Sequence, residues 1–367
     1  MNNSYVPMDI ASRLDGLRQR LALAEIDAML ITNLTNIRYL TGFTGSAGLL
    51  AVTAGGATFT SDGRYDQQAH EQLAAAGVGA EIVISNTEQR AALVARCDGA
   101  DRIGLEAAHI SWANADQYRQ SWFAGRDVVA TKEMVEALRI VKDAGEVDRI
   151  RTACAIADDA FAELRPRLAC GITERQFAIE LEMTMRSMGA DGLSFEAIVA
   201  AGPNGAKPHA RPSNRVIERG ELIVVDFGCI VDGYCSDMTR TVSVGEPPAE
   251  ARRIFDVVLE SQQTGRDRVR SGIAASEVDG ACRAVIADAG WGDAFLHGTG
   301  HGVGLDIHEE PRVSGSSSDV LAVGNVVTVE PGIYISGVGG VRIEDTVVVT
   351  EEGCEALTLS PKELVIV

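Results

Sequence analysis

The sequence predicts an α+β protein in two units: a small α/β unit, then a larger domain built on a duplicated β-hairpin. Three observations carry the prediction. Short apolar strands and helical stretches alternate as far as about residue 132. A long amphipathic helix follows at 146–168, and beyond it short β segments are broken by glycine. Within that second part, 221–244 and 325–349 repeat one spacing of acids, glycines and threonines.

Taken in order, residues 9–25 set Ile10, Leu14, Leu17, Leu21 and Leu23 at helical spacing. "AMLITN" (28–33) reads as a buried strand. "GLLAVTAGGATFTSD" (48–62) reads as two strands around Gly55-Gly56, a hairpin signal. "AEIVIS" (80–85) and "RIGLEA" (102–107) are further strands. The helix at 146–168 is apolar at Val147, Ile150, Ala153, Ile156, Ala160, Phe161 and Leu164. A second helix opens at Thr173 with Gln176 three residues on, the spacing of a capping box, and Gly189 offers its stop. The expected domains are 1–135 and 136–367, with no low-complexity linker.

Composition narrows the function. The 367 residues are 46% hydrophobic and 23% charged, ordinary for a globular chain with sizeable cores. The net charge of -19 repels DNA, RNA and anionic membranes, so none is expected as a partner. No signal-peptide pattern and no apolar run of about 18 residues is found. The seven cysteines, including Cys170, form no C-x-x-C pair, so neither a disulfide framework nor a cysteine zinc site is expected. A cytoplasmic setting follows as an expectation.

The repeat carries the chemistry. In the first copy a β-branched strand ends in Asp226, with Gly228 two residues later; in the second, Glu330 and Gly332 match them. A glycine-containing turn follows in each, then a second acid, Asp237 or Glu344, with Thr239 or Thr346 two residues on. Each copy reads as a hairpin with one acid on each arm, and two such halves are expected to face each other. A single acid at a strand end is usually a turn or capping residue. Four in matched apolar strands, with only Arg240 and Arg342 near in sequence, require another source of positive charge.

"HGTGHGVGLDIHEEP" (297–311) supplies the missing nitrogen. With His301 the set becomes Asp226, Asp237, His301, Glu330 and Glu344. Four carboxylates and one imidazole suit a two-metal hydrolytic centre with ions about 3.5–4 Å apart. Mn, Co, Zn and Fe all fit these donors. His297 and His308 are then free for substrate and proton work, or are packed structural histidines. His209, in "PNGAKPHARP", is either a site residue or a surface-loop histidine. Cys229 and Cys235 read as small buried residues. Thr239 and Thr346 read equally as partners of the acids or as strand formers. "GPNG" (202–205) reads as a turn, not a phosphate loop.

The stretches "VVDFG", "YCSDMTRT", "HGTGHGVGLDIHEEP", "VTVEPGIY" and "GGVRIEDT" resemble, in order, the creatinase-like or pita-bread metallopeptidases, which include aminopeptidase P and prolidase. The resemblance covers about 140–367. "IRYLTGFTGSAG" and "SDGRY" resemble the short N-terminal creatinase-like domain of the Xaa-Pro branch.

The resemblance implies a pita-bread catalytic domain with pseudo-two-fold halves, hydrolysing an N-terminal Xaa-Pro bond through a hydroxide bridging two divalent ions, Mn placed first. It implies that Asp237 and Glu344 bridge the ions, that Asp226 binds one, and that His301 and Glu330 bind the other. Glu330 would also handle a proton, His209 and His308 would hold substrate and oxyanion, and His297 would shape the prolyl pocket. Arg342 would contact the carboxyl side of the substrate or stand behind the ligands. Small peptides with proline second are the implied substrates, and a homodimer the implied assembly. A Xaa-Pro nitrogen has no N–H, which defeats proteases that need that donor. The competing readings are a creatinase-type amidinohydrolase, a lyase, or a scaffold on the same fold; intact ligands count against the first and last.

Overall fold

The structure, a computed structural model, describes residues 5–168 and 171–367. It divides into two compact units, one spanning Met8–Arg139 and one spanning Ile140–Val367 together with residues 5–7.

In the first unit the elements run α1 (Arg13–Leu23), β1 (Ala28–Ile31), α2 (Leu34–Thr41), β2 (Leu49–Thr53), β3 (Gly56–Ser61), α3 (Asp66–Ala75), β4 (Glu81–Ile84), α4 (Gln89–Arg96), β5 (Arg102–Glu106), α5 (Trp112–Gln117), β6 (Asp127–Thr131) and α6 (Glu136–Arg139). The strands form one mixed sheet in the order β4-β3-β2-β1-β5-β6. β2 and β3 make the expected antiparallel hairpin. β1 is buried at every position, which is why its sequence is continuously apolar. Sequence periodicity did not single out α2, a short helix capped by Asn33, whose side chain accepts from Thr35 N.

The second unit opens with two helices, α7 (Ala144–Leu164) and α8 (Glu174–Ser187). Both start in capping boxes, Asp143 with Glu146 and the expected Thr173 with Gln176. Gly189, just past the end of α8, has φ 109°, a conformation that suits glycine. α8 buries Phe177, Leu181 and Met185, one face at i, i+4, i+8. Burying each such side chain stabilises by roughly 1.5–3 kcal/mol.

The strands that follow are β7 (Gly192–Leu193), β8 (Ile198–Ala201), β9 (Leu222–Phe227), β10 (Cys229–Val231), β11 (Tyr234–Cys235) and β12 (Met238–Ser243). Helices α9 (Ala249–Arg268) and α10 (Ala275–Asp288) come next. Last are β13 (Gly300–Gly302), β14 (Glu309–Val313), β15 (Val326–Val329), β16 (Gly332–Ile335), β17 (Gly339–Arg342), β18 (Asp345–Val349) and β19 (Cys354–Ala356). α7 and α8 share one core with β9 and β12, while α9 and α10 share another with β15 and β18. α10 buries Val278, Cys282 and Ile286 at the same i, i+4, i+8 spacing as α8. The duplication seen in the hairpins thus extends to the helix pairs behind them.

The hairpins themselves differ from the simple form expected. Each breaks near its first acid into two ladders. β9 pairs with β12, and beyond the bend β10 pairs with β11. Likewise β15 pairs with β18, and beyond the bend β16 pairs with β17. Gly228 sits at the first bend, where a Cβ would lie 1.9 Å from the Ser236 carbonyl oxygen. No residue with a side chain fits that approach. The acids therefore stand where strands change ladders, not along a continuous arm.

The six described cysteines are free thiols; Cys170 lies outside the described residues. Cys229 and Cys235 are buried. "GPNG" forms a 3-10 turn over Gly202–Ala206. Among the described residues no helix is long and apolar enough to cross a membrane.

Candidate metal centre and active site

Asp226 is the penultimate residue of β9, next to the first bend, and Asp237 precedes β12. Glu330 follows β15, and Glu344 precedes β18. The two bends bring carboxylates from both copies together. Ligand atoms of Asp226, Asp237 and Glu344 all lie within 4.8 Å of one another. His301 adjoins this trio, with Nε2 3.5 Å from Asp237 Oδ2 and 3.4 Å from Glu330 Oε1. So three of the five expected ligands form a tight group, and the other two stand at its side.

Glycine places the histidine. β13 runs between β14 and β15. A Cβ on Gly300 would lie 2.0 Å from the Thr328 carbonyl oxygen. The backbone must come this close to set His301 against the acids.

The electrostatics call for a cation. Burial first, then neighbouring acids, pushes Asp237 and Glu344 well above the ordinary carboxylate range. Burial pushes Glu330 up to about 8 and His301 down to about 3. His301 is therefore neutral, and its Nδ1 lies 3.0 Å from Gly302 O. With the proton on Nδ1, the Nε2 lone pair faces carboxylate oxygens. Asp226 Oδ1 and Glu344 Oε1 are buried without a hydrogen-bond partner. Crowded carboxylates with orphaned oxygens, beside an imidazole lone pair, are a donor set that fits divalent ions.

Arg342 is a hub beside the trio. It pairs with Asp226 through Nη2. Its Nε donates to Thr239 Oγ1 at 3.0 Å, and its Nη1 donates to Tyr334 OH at 2.8 Å and Pro208 O at 3.2 Å. The last contact holds the loop that carries His209. Tyr334 OH lies 2.8 Å from His297 Nε2, completing a relay from Arg342 to His297. Burial pushes His297 down to about 4, so it accepts this bond as a neutral ring. The His308 ring stands edge-on to His301, with centroids 4.4 Å apart, and burial lowers its pKa.

The acids form the floor of a cavity of about 500 Å³. His209, His297 and His308 line it with all five expected ligands and Arg342. Phe195, Ile198 and Ile307 give it apolar wall, and Arg211 and Arg312 stand among its lining residues. His70 and His109 belong to the other unit.

Sequence reading missed three contributors. Tyr334 lay inside a quoted motif without a role. Asp279 of α10 is fully buried and accepts from Thr299 N at 3.0 Å and Thr299 Oγ1 at 2.9 Å. It also pairs with Arg283, which donates to the carbonyl of His297. Glu309, beside His308, takes a buried ion pair from Lys142 at 3.0 Å. An i, i+4 Asp–Arg pair was the available signal for Asp279; Lys142 offered none.

Comparison with known proteins agrees with this architecture. The Creatinase/Prolidase N-terminal domain pattern matches residues 13–141, and that of metallopeptidase family M24 matches residues 148–351. The Xaa-Pro dipeptidase of Pyrococcus horikoshii is 34% identical over 342 residues, covering 93% of this chain and 95% of that one. A solved Xaa-Pro dipeptidase from Bacillus anthracis superposes with a TM-score of 0.94 at 39% identity, covering 98% of this chain and 100% of the other. An X-Pro aminopeptidase from Thermotoga maritima superposes with a TM-score of 0.87 at 35% identity, covering 95% of this chain and all of that one. The fold is the pita-bread fold with its creatinase-like N-terminal domain. With two matched domains and relatives aligned over nearly its whole length, the chain belongs to metallopeptidase family M24.

Proposed function

We propose that the protein hydrolyses the bond between an N-terminal residue and a following proline in small peptides. The observation that carries this reading is the convergence of buried, partly orphaned carboxylates and a neutral His301 on the floor of a histidine-lined cavity. The similar dipeptidase and aminopeptidase structures carry X-Pro substrates in their names, which supports this substrate class.

Asp226, Asp237, His301, Glu330 and Glu344 would hold two divalent ions, with Mn placed first. When bound, such ions polarise a carbonyl and supply a nucleophile near neutral pH. The chain's own residues do the remainder. Glu330, beside His301, takes and returns a proton during bond cleavage. His209 and His308 face the cavity and donate to the oxygen that gains charge. His297, held by Tyr334, shapes the wall for the prolyl ring. Arg342 fixes Asp226 and the His209 loop instead of reaching outward. A homodimer in the cytoplasm is the proposed working state.

The test is to strip the metal, add back Mn, Co or Zn, and assay a Xaa-Pro dipeptide and a Xaa-Pro-Yaa tripeptide. Metal-dependent cleavage is expected. A fully metal-loaded protein that cleaves neither peptide overturns the reading and returns attention to amidinohydrolase or lyase substrates.

A further inference from the structure

His209 lines the cavity from the long segment between β8 and β9, and it is itself exposed. A loop of that kind has many conformations open to it, so the place of the ring has to be set from outside the loop. At its entry the loop packs backbone to backbone on β17: a Cβ on Gly340 would lie 2.0 Å from the Gly205 carbonyl oxygen. Entry and exit then meet at one side chain. Glu174, the first residue of α8, is fully buried. Its Oε1 accepts from Ala201 N at 2.8 Å and from Asn204 Nδ2 at 3.0 Å, both at the entry. Its Oε2 accepts from Ser213 N at 3.0 Å and Ser213 Oγ at 2.6 Å, both at the exit, and from Asn204 Nδ2 at 3.1 Å. The start of α8 adds two backbone bonds to the exit. Glu174 N donates to Arg215 O at 3.1 Å, and Arg175 N donates to Ser213 O at 3.0 Å. Helix N–H groups that have no partner inside α8 thus hold one end of the loop, and the carboxylate ties that end to the other.

We infer that Glu174 is a positioning residue for His209: its carboxylate closes the loop from Asn204 to Ser213 and so fixes where that ring meets the substrate. The inference rests on the proposed Xaa-Pro activity, in which His209 donates to the oxygen that gains charge. Arg342 holds a single point beside the ring, the carbonyl of Pro208. Glu174 closes the loop behind that point. Each group bonded to the carboxylate is a donor: two backbone N–H groups, an amide NH2 and a hydroxyl. Only a side chain that accepts at both oxygens satisfies them all. A glutamine of the same shape would set its own NH2 against N–H groups and release one end of the loop. The partners of the carboxylate are loop residues, not the proposed metal ligands. Its loss should therefore act through His209 and leave the metal in place. A role confined to starting α8 would lower stability and leave the contribution of His209 intact.

The test is a double-mutant cycle on the metal-loaded full chain, with Ala-Pro and Ala-Pro-Ala as substrates. The proteins are the wild type, Glu174→Gln, His209→Ala and the double variant. Asn204→Ala, alone and with His209→Ala, repeats the cycle and carries the test if Glu174→Gln does not fold. His209→Ala is expected to lower kcat about 100-fold in the wild type, as loss of a donor to a developing charge does. Glu174→Gln is expected to lower kcat about 10–100-fold with metal content unchanged, the effect of a misplaced group. In the Glu174→Gln background His209→Ala should then cost less than about tenfold. Amide hydrogen exchange read by mass spectrometry should speed up over 202–216 in Glu174→Gln and stay as in the wild type over 221–244 and 325–349. A His209→Ala loss as large in Glu174→Gln as in the wild type overturns the inference. So does a Glu174→Gln variant with wild-type kcat, and so does a His209→Ala variant with wild-type kcat on both peptides. A metal-loaded wild type that cleaves neither peptide overturns the Xaa-Pro reading instead. The exchange measurement then decides the hold by itself: unchanged exchange over 202–216 overturns it, and faster exchange confined there upholds it.

Discussion

The hydroxyl of Thr239 donates to Oε2 of Glu344 at 2.7 Å, so a threonine of the first repeat holds an acid of the second. The exchange is reciprocal but unequal. Thr346 in the second repeat donates to the backbone carbonyl of Asp237 at 2.7 Å, not to its carboxylate. Thr239 alone also accepts from Arg342. It therefore couples one proposed metal ligand to the guanidinium that pairs with another. Thr239→Val, close in shape but without the hydroxyl, is expected to lower metal affinity or kcat about 10–100-fold. Thr239→Ser should retain most of both. Metal titration and steady-state kinetics check this; a valine variant equal to wild type would reduce Thr239 to a strand former.

Metal removal should change how stability depends on pH. Burial and crowding raise Asp237 and Glu344, and burial raises Glu330 to about 8. An acid with a raised folded-state pKa binds more protons folded than unfolded. Its contribution is present below the unfolded value, about 3.8 for Asp237 and about 4.5 for the two glutamates, and is lost as pH rises through the folded value. Metal-free protein is therefore expected to lose stability between about pH 4.5 and 8. In metal-loaded protein the ions hold the acids ionised, and that fall should disappear. Unfolding midpoints across this range, with and without chelator, are the measurement. Parallel curves would mean that the carboxylates are balanced without metal.

The four acids among the proposed ligands were legible because their pattern is local and occurs twice. Asp226-x-Gly228 and Glu330-x-Gly332, then Asp237-x-Thr239 and Glu344-x-Thr346, can be aligned by eye. The helix starts were legible for the same reason, since Thr173 and Gln176 satisfy each other within one turn. The bends were not. Gly228 reads as an ordinary turn glycine until the Ser236 carbonyl is seen against it. Nor were the residues that hold the histidines. Asp279 looks like one end of a surface i, i+4 pair, yet it is fully buried against Thr299. Lys142 and Glu309 are 167 positions apart. Periodicity reports burial within one element and is silent on which distant side chain fills the space.

Asp279 gives a prediction about the histidine loop. Its carboxylate holds Thr299, and through Arg283 it holds the carbonyl of His297. Asp279→Asn keeps the shape and weakens the grip. If His297 borders the proline, the variant should raise KM or lower kcat by up to about 100-fold, the cost of a displacement near 1 Å at a reacting centre. Metal content should fall less than activity, because His301 has its own anchors: its N–H donates to Thr328 Oγ1 at 3.1 Å and its strand β13 packs between β14 and β15. Loss of metal in parallel with activity would show that the loop and the ligand move as one.

Lys142 and Glu309 present the opposite case, a buried pair whose value shows only when it is broken. Their side chains are 1% and 8% exposed, with 3.0 Å between Nζ and Oε2. The same carboxylate accepts from Asp306 N at 3.0 Å, so it pins the turn that leads into His308. Lys142→Met leaves a charge buried without its ammonium and should cost about 3–5 kcal/mol. Removing that charge as well, in Lys142→Met with Glu309→Gln, should recover part of the loss, because a neutral amide is cheaper to bury. Denaturant unfolding of the two single variants and the double variant measures the coupling. Additive losses would mean that the pair contributes no more than its separate packing, and the turn before His308 would then depend on its backbone alone.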